Sequence, residues 1–338
     1  MKKTLLYPAQ IVHRKLPVNY DEMAPGKTGF IHPEEQIDAS YRIEISQAYV
    51  SPFGIVYKNG WVVKESVYSM FEPSKQVLSF YKKVLRNKVK YISGDCLVAH
   101  NAYYENYFHW LLEIMPRLYV FREQAKDLTL IITDFKLPHF AQEFIQIFGF
   151  KDVVYLKEDE LAKVERLHFA THFSRGLAFN PAVTLEMRDW LQSKMLRSDR
   201  PSAGEKIFIS RKNAVFRKTL QEDVLYDFLK ERGFVKYDLQ QPSIQEQADF
   251  FKDAKYIVGS HGAGFTNMVY SNNCKLVLDI IHREHGQDCF YNLANVIGAD
   301  YYYFQCEGTG TDPNLNNDDI TVDFVKFEQT CNQHIFSR

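Results

Sequence analysis

The sequence predicts an α/β protein made of two Rossmann-like domains that face a cleft, preceded by a β-leaning segment. From about residue 94, short apolar runs typical of buried strands alternate with stretches of helical periodicity. The alternation stops once, at residues 197–204, where a polar stretch with Pro and Gly indicates a linker. Strands that alternate with helices form parallel sheets with helices on both faces. In such sheets, ligands bind at the carboxyl ends of the strands.

These features divide the 338 residues into three regions. Residues 1–92 are expected to be a β-leaning segment packed on the first domain, with a turn at Pro25-Gly26 and a hairpin at Asn59-Gly60. Residues 93–198 are predicted to be the first Rossmann-like domain, and residues 205–338 the second. The length of the chain suits two domains better than one hydrophobic core.

The elements of the first domain follow from its apolar pattern. Short apolar runs have the length of buried strands, and longer stretches repeat apolar residues every three to four positions, as on one helix face. The predicted strands are 96–99, 128–132, 153–155 and 167–170, and the predicted helices are 106–123, 138–148 and 182–196.

The second domain repeats this pattern after the linker. Its apolar runs are again short, and glycine or polar residues separate them from the helical stretches. The predicted strands are 206–210, 234–237, 256–258, 276–279 and 301–303, and the predicted helices are 220–232, 243–251, 264–270 and 289–297.

Composition excludes several classes of protein. Hydrophobic residues make up 46% of the chain and charged residues 25%, which is the balance of a folded protein. The net charge of −1 gives no basic excess, so no nucleic-acid partner is expected. The basic run 82–90 is expected to be a solvated helix or strand face, with contact to an anionic membrane surface as the alternative.

The cysteines and the N-terminus indicate the cell compartment. The five cysteines are odd in number and widely spaced without a CxxC, so neither a disulfide framework nor a zinc site is expected. The first residues carry charge but no adequate apolar stretch, so no signal peptide is predicted. No stretch approaches the roughly 18 apolar residues of a membrane span. The protein is expected in the cytoplasm or peripherally at the inner membrane face.

A glycine-rich turn, Gly259-Ser260-His261-Gly262-Ala263-Gly264, follows the predicted strand 256–258 directly. A strand, a glycine turn and a helix start together point backbone N–H groups at an anion, and a diphosphate is the natural ligand. Its spacing matches neither a P-loop nor GxGxxG. The alternative is a tight structural turn without a ligand, in which His261 caps a helix or lies in the core instead of donating to a phosphate.

Polar residues form a stripe on an otherwise apolar predicted helix. At about 100° per residue, Asn106, Glu113 and Arg117 fall within about 20° of one line, with His109 about 60° to one side. His109 and Glu113 are i,i+4 neighbours, and a carboxylate beside an imidazole suits a general base. The alternative is a solvent-facing stripe on an amphipathic helix. Pro116 is expected to bend or end this helix.

Cations follow the predicted strand 206–210. Arg211, Lys212, Arg217 and Lys218 come at or just after its carboxyl end, where a diphosphate can bind, with surface salt bridges as the alternative. Asp279 ends a later strand and is expected either to accept from ribose hydroxyls or to cap a helix. Neither an Asp-x-Asp motif nor a helical HExxH occurs, so no metal is expected at the residues 282–285 or elsewhere.

Three of these segments together resemble the glycosyltransferase family 61 proteins. In that family an N-x-x-H-[WF]-x-x-[DE] segment, an I-S-R segment and a G-x-H-G-A-G-x-[TS]-[NH] segment follow one another in this order. Here they stand at 106–113, 209–211 and 259–267, and order and spacing agree over roughly residues 95–305. The first 90 residues carry no such resemblance.

The resemblance implies a GT-B fold and an inverting transfer from a nucleotide-sugar, a UDP-sugar in the better-known members, without a metal or other cofactor. Bacterial members are associated with capsule or other surface-polysaccharide synthesis, so the expected acceptor is a hydroxyl of a glycan or lipid-linked glycan. His109 and Glu113 are the expected catalytic residues, and Asn106 and Arg117 are expected to contact the acceptor or support the site. The expected donor-binding residues are Arg211, Arg217, Lys218, His261, Gly262, Ala263, Gly264, Asn267 and Asp279, although many relatives have Glu where Asp279 stands.

Two other functions fit the same sequence. One is a non-catalytic sugar- or nucleotide-binding subunit of a polysaccharide assembly complex, which would need neither His109 nor Glu113. The other is a sugar-nucleotide epimerase on the same scaffold, which would need no acceptor. The presence of His109 and Glu113 favours an enzyme.

Overall fold

The computed structural model describes residues 1–23, 30–68, 73–175, 178–195, 202–238, 242–312, 314 and 317–337. The predicted turn at Pro25-Gly26 and most of the predicted linker 197–204 lie outside these residues. The fold is mixed α/β, as predicted, and the chain divides into two compact units. The first unit holds residues 1–11 and 36–187, and the second holds residues 12–35 and 188–338. The β-leaning N-terminal segment therefore contributes to both.

The first unit is built on an eight-stranded sheet in the order β6-β5-β4-β10-β7-β8-β9, with β1 also paired to β4. Strands β7 to β10 pair in parallel, whereas β4 runs antiparallel to β10. The strands are β1 (Lys2–Tyr7), β4 (Ser40–Val50), β5 (Val56–Lys58), β6 (Trp61–Val62), β7 (Val89–Leu97), β8 (Thr129–Thr133), β9 (Asp152–Leu156) and β10 (Leu161–Ala170). Apolar side chains of β4, β7 and β10 share one buried core, in which β-branched residues such as Ile43, Ile45 and Val164 pack against one face of the sheet.

The predicted hairpin at Asn59-Gly60 is confirmed. It joins β5 to β6, and Asn59 and Gly60 have φ of 51° and 81°. Two positive φ values define the type I′ turn that matches the twist of the flanking strands. Two further small sheets pair β2 (Gln10–His13) with β3 (Glu34–Ile37), and β11 (Ser174–Arg175) with β12 (Ala178–Phe179).

Helices of the first unit are α1 (Pro73–Leu85), α2 (107–119), α3 (His139–Phe148) and α4 (Pro181–Lys194), which continues into the second unit. The single helix predicted at 106–123 is instead a composite. Helix α2 consists of an α-helical turn Tyr107–His109, a π-helical turn Trp110–Ile114 and an α-helical segment Met115–Tyr119, and a 3₁₀ helix Arg122–Asp127 follows. Pro116 does not end the helix, because it stands in the first turn of its α-helical segment, where a missing N–H costs least.

The basic run 82–90 faces an acidic loop. Lys83 Nζ donates to the backbone oxygen of Glu158 at 2.6 Å, Lys88 pairs with Asp159 at 3.2 Å, and Lys90 pairs with Glu160 at 2.8 Å. These carboxylates balance much of the local positive charge, which supports the interpretation as a solvated face.

The second unit is built on a six-stranded sheet in the order β14-β13-β15-β16-β17-β18. The first five strands pair in parallel and β18 is antiparallel. The strands are β13 (Lys206–Ile209), β14 (Val235–Tyr237), β15 (Tyr256–Ser260), β16 (Leu276–His282), β17 (Asp300–Gly308) and β18 (Ile320–Thr321). Strands β15 and β16 are buried along their whole length, as expected for the centre of a parallel sheet covered by helices.

The helices of this unit fall where the periodicity predicts them, except for the last α-helix and its extension, which were not predicted. They are α5 (Glu222–Lys230), α6 (Ile244–Phe251), a 3₁₀ helix Ala263–Tyr270, α7 (Cys289–Val296) and α8 (Phe324–Cys331), which a π-helical turn Asn332–Phe336 extends. A capping box of Ser243 and Glu246 starts α6, since each side chain satisfies a backbone N–H that the helix leaves without a partner.

An N-terminal strap, residues 12–35, also belongs to the second unit. Val18 N donates to the backbone oxygen of Tyr301 at 2.8 Å. The side chain of Asn19 bridges Tyr303, donating to its backbone oxygen at 2.9 Å and accepting from its N–H at 3.1 Å. These hydrogen bonds to the backbone of Tyr301 and Tyr303 hold the strap against β17.

All five cysteines are buried and free. Across the described parts of the chain, no helix combines the length and the apolar character that a membrane crossing requires.

Candidate active-site residues

Arg211 and Gly262 meet at the edge of the six-stranded sheet where the parallel strands have their carboxyl ends. Strands β13 and β15 are parallel neighbours, with Ile209 opposite Gly259, so the residues that follow each strand emerge side by side. A Cβ atom placed on Gly262 would lie 1.9 Å from Nη1 of Arg211. The φ of Gly262 is 167°, an extended conformation open to any residue, so glycine is required here for close approach and not for backbone freedom.

The backbone around Arg211 holds its guanidinium in place. Nη2 donates to the backbone oxygen of Phe216 at 2.8 Å, and Nε donates to that of Arg217 at 3.3 Å. The backbone N–H of Arg211 donates to Glu222 at 2.7 Å. Burial, and next the charge of Arg217, lower the pKa of Arg211 to about 10. Arg211 is therefore a positioned and partly desolvated cation.

Arg217 completes this cationic edge in an unusual conformation. Its φ is +60°, a region that costs a non-glycine residue about 1 kcal/mol or more. Its Nε is buried and has no hydrogen-bond partner within the part of the chain that the structure describes. Burial lowers the pKa of Arg217. A strained backbone that carries a buried donor without a partner is the arrangement expected of a ligand site.

Lys218, the neighbouring predicted donor-binding residue, is held by its main chain. Its N–H donates to Asp319 at 2.8 Å, and its oxygen accepts from Ile320 at 2.9 Å. Its side chain is half-buried, beside the cationic edge.

His261 and Asp279 form a buried pair behind the glycine turn. Nδ1 of His261 lies 2.6 Å from Oδ2 of Asp279, and the same oxygen accepts from the hydroxyl of Tyr301 at 2.6 Å. Asp279 is fully buried. This position supports a role exerted through His261, whose ring it orients, more than direct contact with a ribose hydroxyl.

The rest of the glycine segment starts the 3₁₀ helix. Ala263 and Gly264 form its first positions, and Ala263 is the more exposed of the two. Asn267 is buried, and its side chain donates to Gln247 at 3.1 Å and contacts the hydroxyl of Tyr237 at 3.4 Å. Asn267 therefore ties the 3₁₀ helix to α6 and β14.

In the first unit, His109 ends the first α-helical turn of α2, directly before the π-helical turn that carries Glu113. Asn106 caps α2 by accepting from the N–H of Phe108 at 2.9 Å, which fixes where the helix begins. Nδ1 of His109 lies 3.0 Å from Oε2 of Glu113, outside hydrogen-bond alignment. The side chain of His109 is 18% exposed, whereas that of Glu113 is 0% exposed. Such π-helical turns recur at functional sites.

Further side chains hold Glu113, and sequence patterns did not identify them. Tyr68 donates its hydroxyl to Oε1 at 2.7 Å, and Asn101 donates to Oε2 at 3.0 Å. Burial, and next the charge of Glu113, raise the pKa of Tyr68 well above its ordinary value. The ring of Tyr103 stacks on His109 with centroids 4.8 Å apart. These residues fix the Glu113 carboxylate and one face of the imidazole.

Arg117 is fully buried and binds main-chain oxygens. Nη1 donates to Ala99 at 2.6 Å and Nε donates to Ala170 at 3.0 Å, which ties the ends of β7 and β10 together. Burial lowers the pKa of Arg117 to about 10. Because Glu113 and Arg117 are both buried, the alternative of a solvent-facing stripe is wrong for them. Arg117 has a supporting position in this unit.

A comparison with protein families identifies the family of this chain. A family model described as Glycosyltransferase 61 matches residues 107–278, just over half of the chain. The chain belongs to the glycosyltransferase 61 family. The resemblance found in the three sequence segments is thereby confirmed, and no curated protein matches the chain.

Membership of the glycosyltransferase 61 family makes the protein a glycosyltransferase, with a donor and an acceptor as substrates. The match includes His109 and Glu113 of the first unit and Arg211, Arg217 and His261 of the second. Asn106 and Asp279 lie one residue outside its two ends. Tyr68 and Asn101 also lie outside it, which is one reason why their contacts to Glu113 emerge only from the three-dimensional structure.

Proposed function

We propose that this glycosyltransferase transfers a sugar from a nucleotide-sugar, a UDP-sugar first of all, to a hydroxyl of a glycan acceptor, with inversion at the anomeric carbon. The observation that carries the proposal is the contact of the Arg211 guanidinium with Gly262, next to the buried Nε of Arg217. These groups follow two adjacent parallel strands, where ligands of α/β sheets bind. Bidentate guanidinium donors and a glycine turn suit a diphosphate.

The proposed chemistry is a single displacement. The acceptor oxygen forms a bond to the anomeric carbon while the bond from that carbon to the donor diphosphate breaks, and the electron pair leaves with the diphosphate. Negative charge therefore grows on the leaving group. Arg211 and Arg217 are partly desolvated and already positioned, so their attraction to this charge requires little reorganisation.

His109 is the proposed base for the acceptor hydroxyl. Its Nδ1 faces Glu113, which leaves Nε2 as the ring nitrogen that takes the proton. Glu113 is held by Tyr68 and Asn101 with Oε2 3.0 Å from Nδ1 of His109, so its negative charge stabilises the imidazolium that forms. One base suffices for inversion, because no covalent intermediate has to be resolved.

The same proposal includes a GT-B arrangement, independence of metal, and a role in capsule or other surface-polysaccharide synthesis at the cytoplasmic face of the membrane. Metal independence is supported by Arg211 and Arg217, whose charges can replace those of a divalent cation at a diphosphate. The role in polysaccharide synthesis rests on the resemblance to bacterial family members.

A panel of nucleotide-sugars tests the proposal. The purified protein is incubated with each donor, with and without glycan acceptors, and the products are separated by mass spectrometry. We expect release of nucleoside diphosphate with at least one donor, and a glycosylated product of inverted anomeric configuration once a suitable acceptor is present. Binding without any turnover would favour the non-catalytic subunit, and an epimerised donor would favour the epimerase.

Replacing Gly262 by Ala should weaken donor binding about tenfold or more. The extended backbone accepts Ala without strain, but the new Cβ would occupy the position of the Arg211 guanidinium and displace it. Titration calorimetry with UDP measures the change. Gly262→Ala should add nothing further in an Arg211→Ala background, because both variants remove the same contact. Additive losses would show that Gly262 acts independently of Arg211.

A further inference from the structure

One exposed aromatic ring of the N-terminal strap lies on the loop that follows β16. Phe30 is 44% exposed, although most large apolar side chains of this unit are buried. A Cβ placed on Gly286 would lie 2.8 Å from Cζ of Phe30 and 3.0 Å from Cε1. The ring therefore rests directly on the Gly286 main chain, and a large part of the residue's surface is open to solvent.

Neighbouring residues of the strap hold Phe30 in place. Ile31 is buried at 5% exposure. The side chain of Arg14, 2% exposed, donates through Nη1 to the backbone oxygen of His32 at 2.8 Å and to Glu35 at 2.9 Å. Arg14 N also donates to Pro33 O at 2.7 Å. The ring thus stands on an anchored support.

The loop beneath Phe30 contacts the glycine turn through the packed rings of His285 and His261. His285 precedes Gly286, and its ring centroid lies 4.5 Å from that of His261. His261 in turn precedes Gly262, which contacts Arg211. Strand β16, from which the loop emerges, is the parallel neighbour of β15. Phe30 is therefore linked to the proposed diphosphate site through the residues 285–286 and His261, at the same edge of the same sheet.

We propose that Phe30 stacks on the nucleobase of the donor and so contributes to donor selection. This inference rests on the proposed function. A base joined through ribose to a diphosphate at Arg211 must lie to one side of the glycine turn, and the flat faces of bases stack on aromatic rings. Such stacking changes affinity by about 5- to 100-fold. Phe30 lies outside the segment 107–278 that the family model matches, so the residue belongs to this chain's own N-terminal strap.

The test compares ligands with and without a base. UDP and inorganic pyrophosphate are titrated into wild-type protein, Phe30→Ala and Phe30→Trp. We expect Phe30→Ala to weaken UDP binding at least about fivefold and to leave pyrophosphate binding unchanged. Phe30→Trp should retain UDP affinity, and UDP should quench its added fluorescence while pyrophosphate does not. Leu16→Ala, which removes another exposed apolar side chain of the strap, should bind both ligands as the wild type does.

The outcomes separate this inference from the proposed function. Equal UDP affinity of Phe30→Ala and wild type, with Arg211→Ala impaired, would overturn the stacking role alone. An equal loss for UDP and pyrophosphate in Phe30→Ala would also overturn it, because the ring would then support the loop and not the base. Wild-type protein that binds neither UDP nor another nucleoside diphosphate would overturn the proposed donor site itself.

Discussion

Arg211→Ala is expected to lower the rate of transfer by about 10² to 10³ while the protein stays folded, the usual loss when a positioned donor to developing charge is removed. Arg211 contacts Gly262 and is half-buried near Arg217, so its charge acts close to the proposed leaving group. Turnover of donor and acceptor under saturating conditions measures the effect, and calorimetry with UDP reports the accompanying loss of binding.

Lys212→Ala provides the matched control. Lys212 is adjacent and cationic, but it is exposed and paired with Asp223 at 2.7 Å, and such surface pairs contribute little. Because Arg211 also binds the main chain at Phe216 and Arg217, the melting temperature of both variants must be compared with wild type. A folded Arg211→Ala protein with wild-type turnover would remove Arg211 from the active site.

His109→Ala is expected to lower transfer by about 10² to 10⁴, the contribution of a positioned general base, and to leave UDP affinity unchanged. The ring lies against Glu113 and Tyr103 with part of its surface exposed, as a base that meets substrate requires. Donor binding should persist because the proposed diphosphate contacts lie in the other unit. Single-turnover transfer and UDP titration on the same preparation separate the two effects.

The chain offers a close control for this variant. His139 and Glu143 form a second i,i+4 His–Glu pair near the start of a helix, 2.9 Å apart, but His139 is 80% exposed on its side chain. His139→Ala should retain full transfer. Near wild-type transfer by a folded His109→Ala protein would reject the base assignment, and equal losses in both variants would point to a general effect on the unit.

Much of the fold could be predicted from periodicity. The parallel strands of the second unit have apolar runs bounded by glycine or polar residues, so β13, β15 and β16 emerge at the predicted positions. The convergence of Arg211 with Gly262 could also be expected, since residues that follow adjacent parallel strands meet at one sheet edge. What periodicity could not reveal is that glycine serves close approach here and not a turn of positive φ.

The surroundings of Glu113 illustrate what sequence patterns miss. Tyr68 and Asn101 are 45 and 12 residues away along the chain, and only the folded first unit places both against one carboxylate. The π-helical turn was equally hidden, because a helical wheel assumes 100° per residue throughout. Asp279 was expected to contact a ribose or to cap a helix because the predicted strand ended there. In the structure β16 continues to His282, and Tyr301 and His261 enclose the Asp279 side chain.

The strap at β17 has a consequence for biosynthesis. Asn19 leaves the ribosome early, but its partner Tyr303 follows 284 residues later. At about 5 to 20 residues per second, roughly 15 to 60 s pass between the synthesis of Asn19 and that of Tyr303. The first unit, residues 1–11 and 36–187, can fold during that interval. The second unit can complete its fold only when nearly the whole chain has been synthesised. Expressing the C-terminal half alone would therefore omit a piece of its own fold.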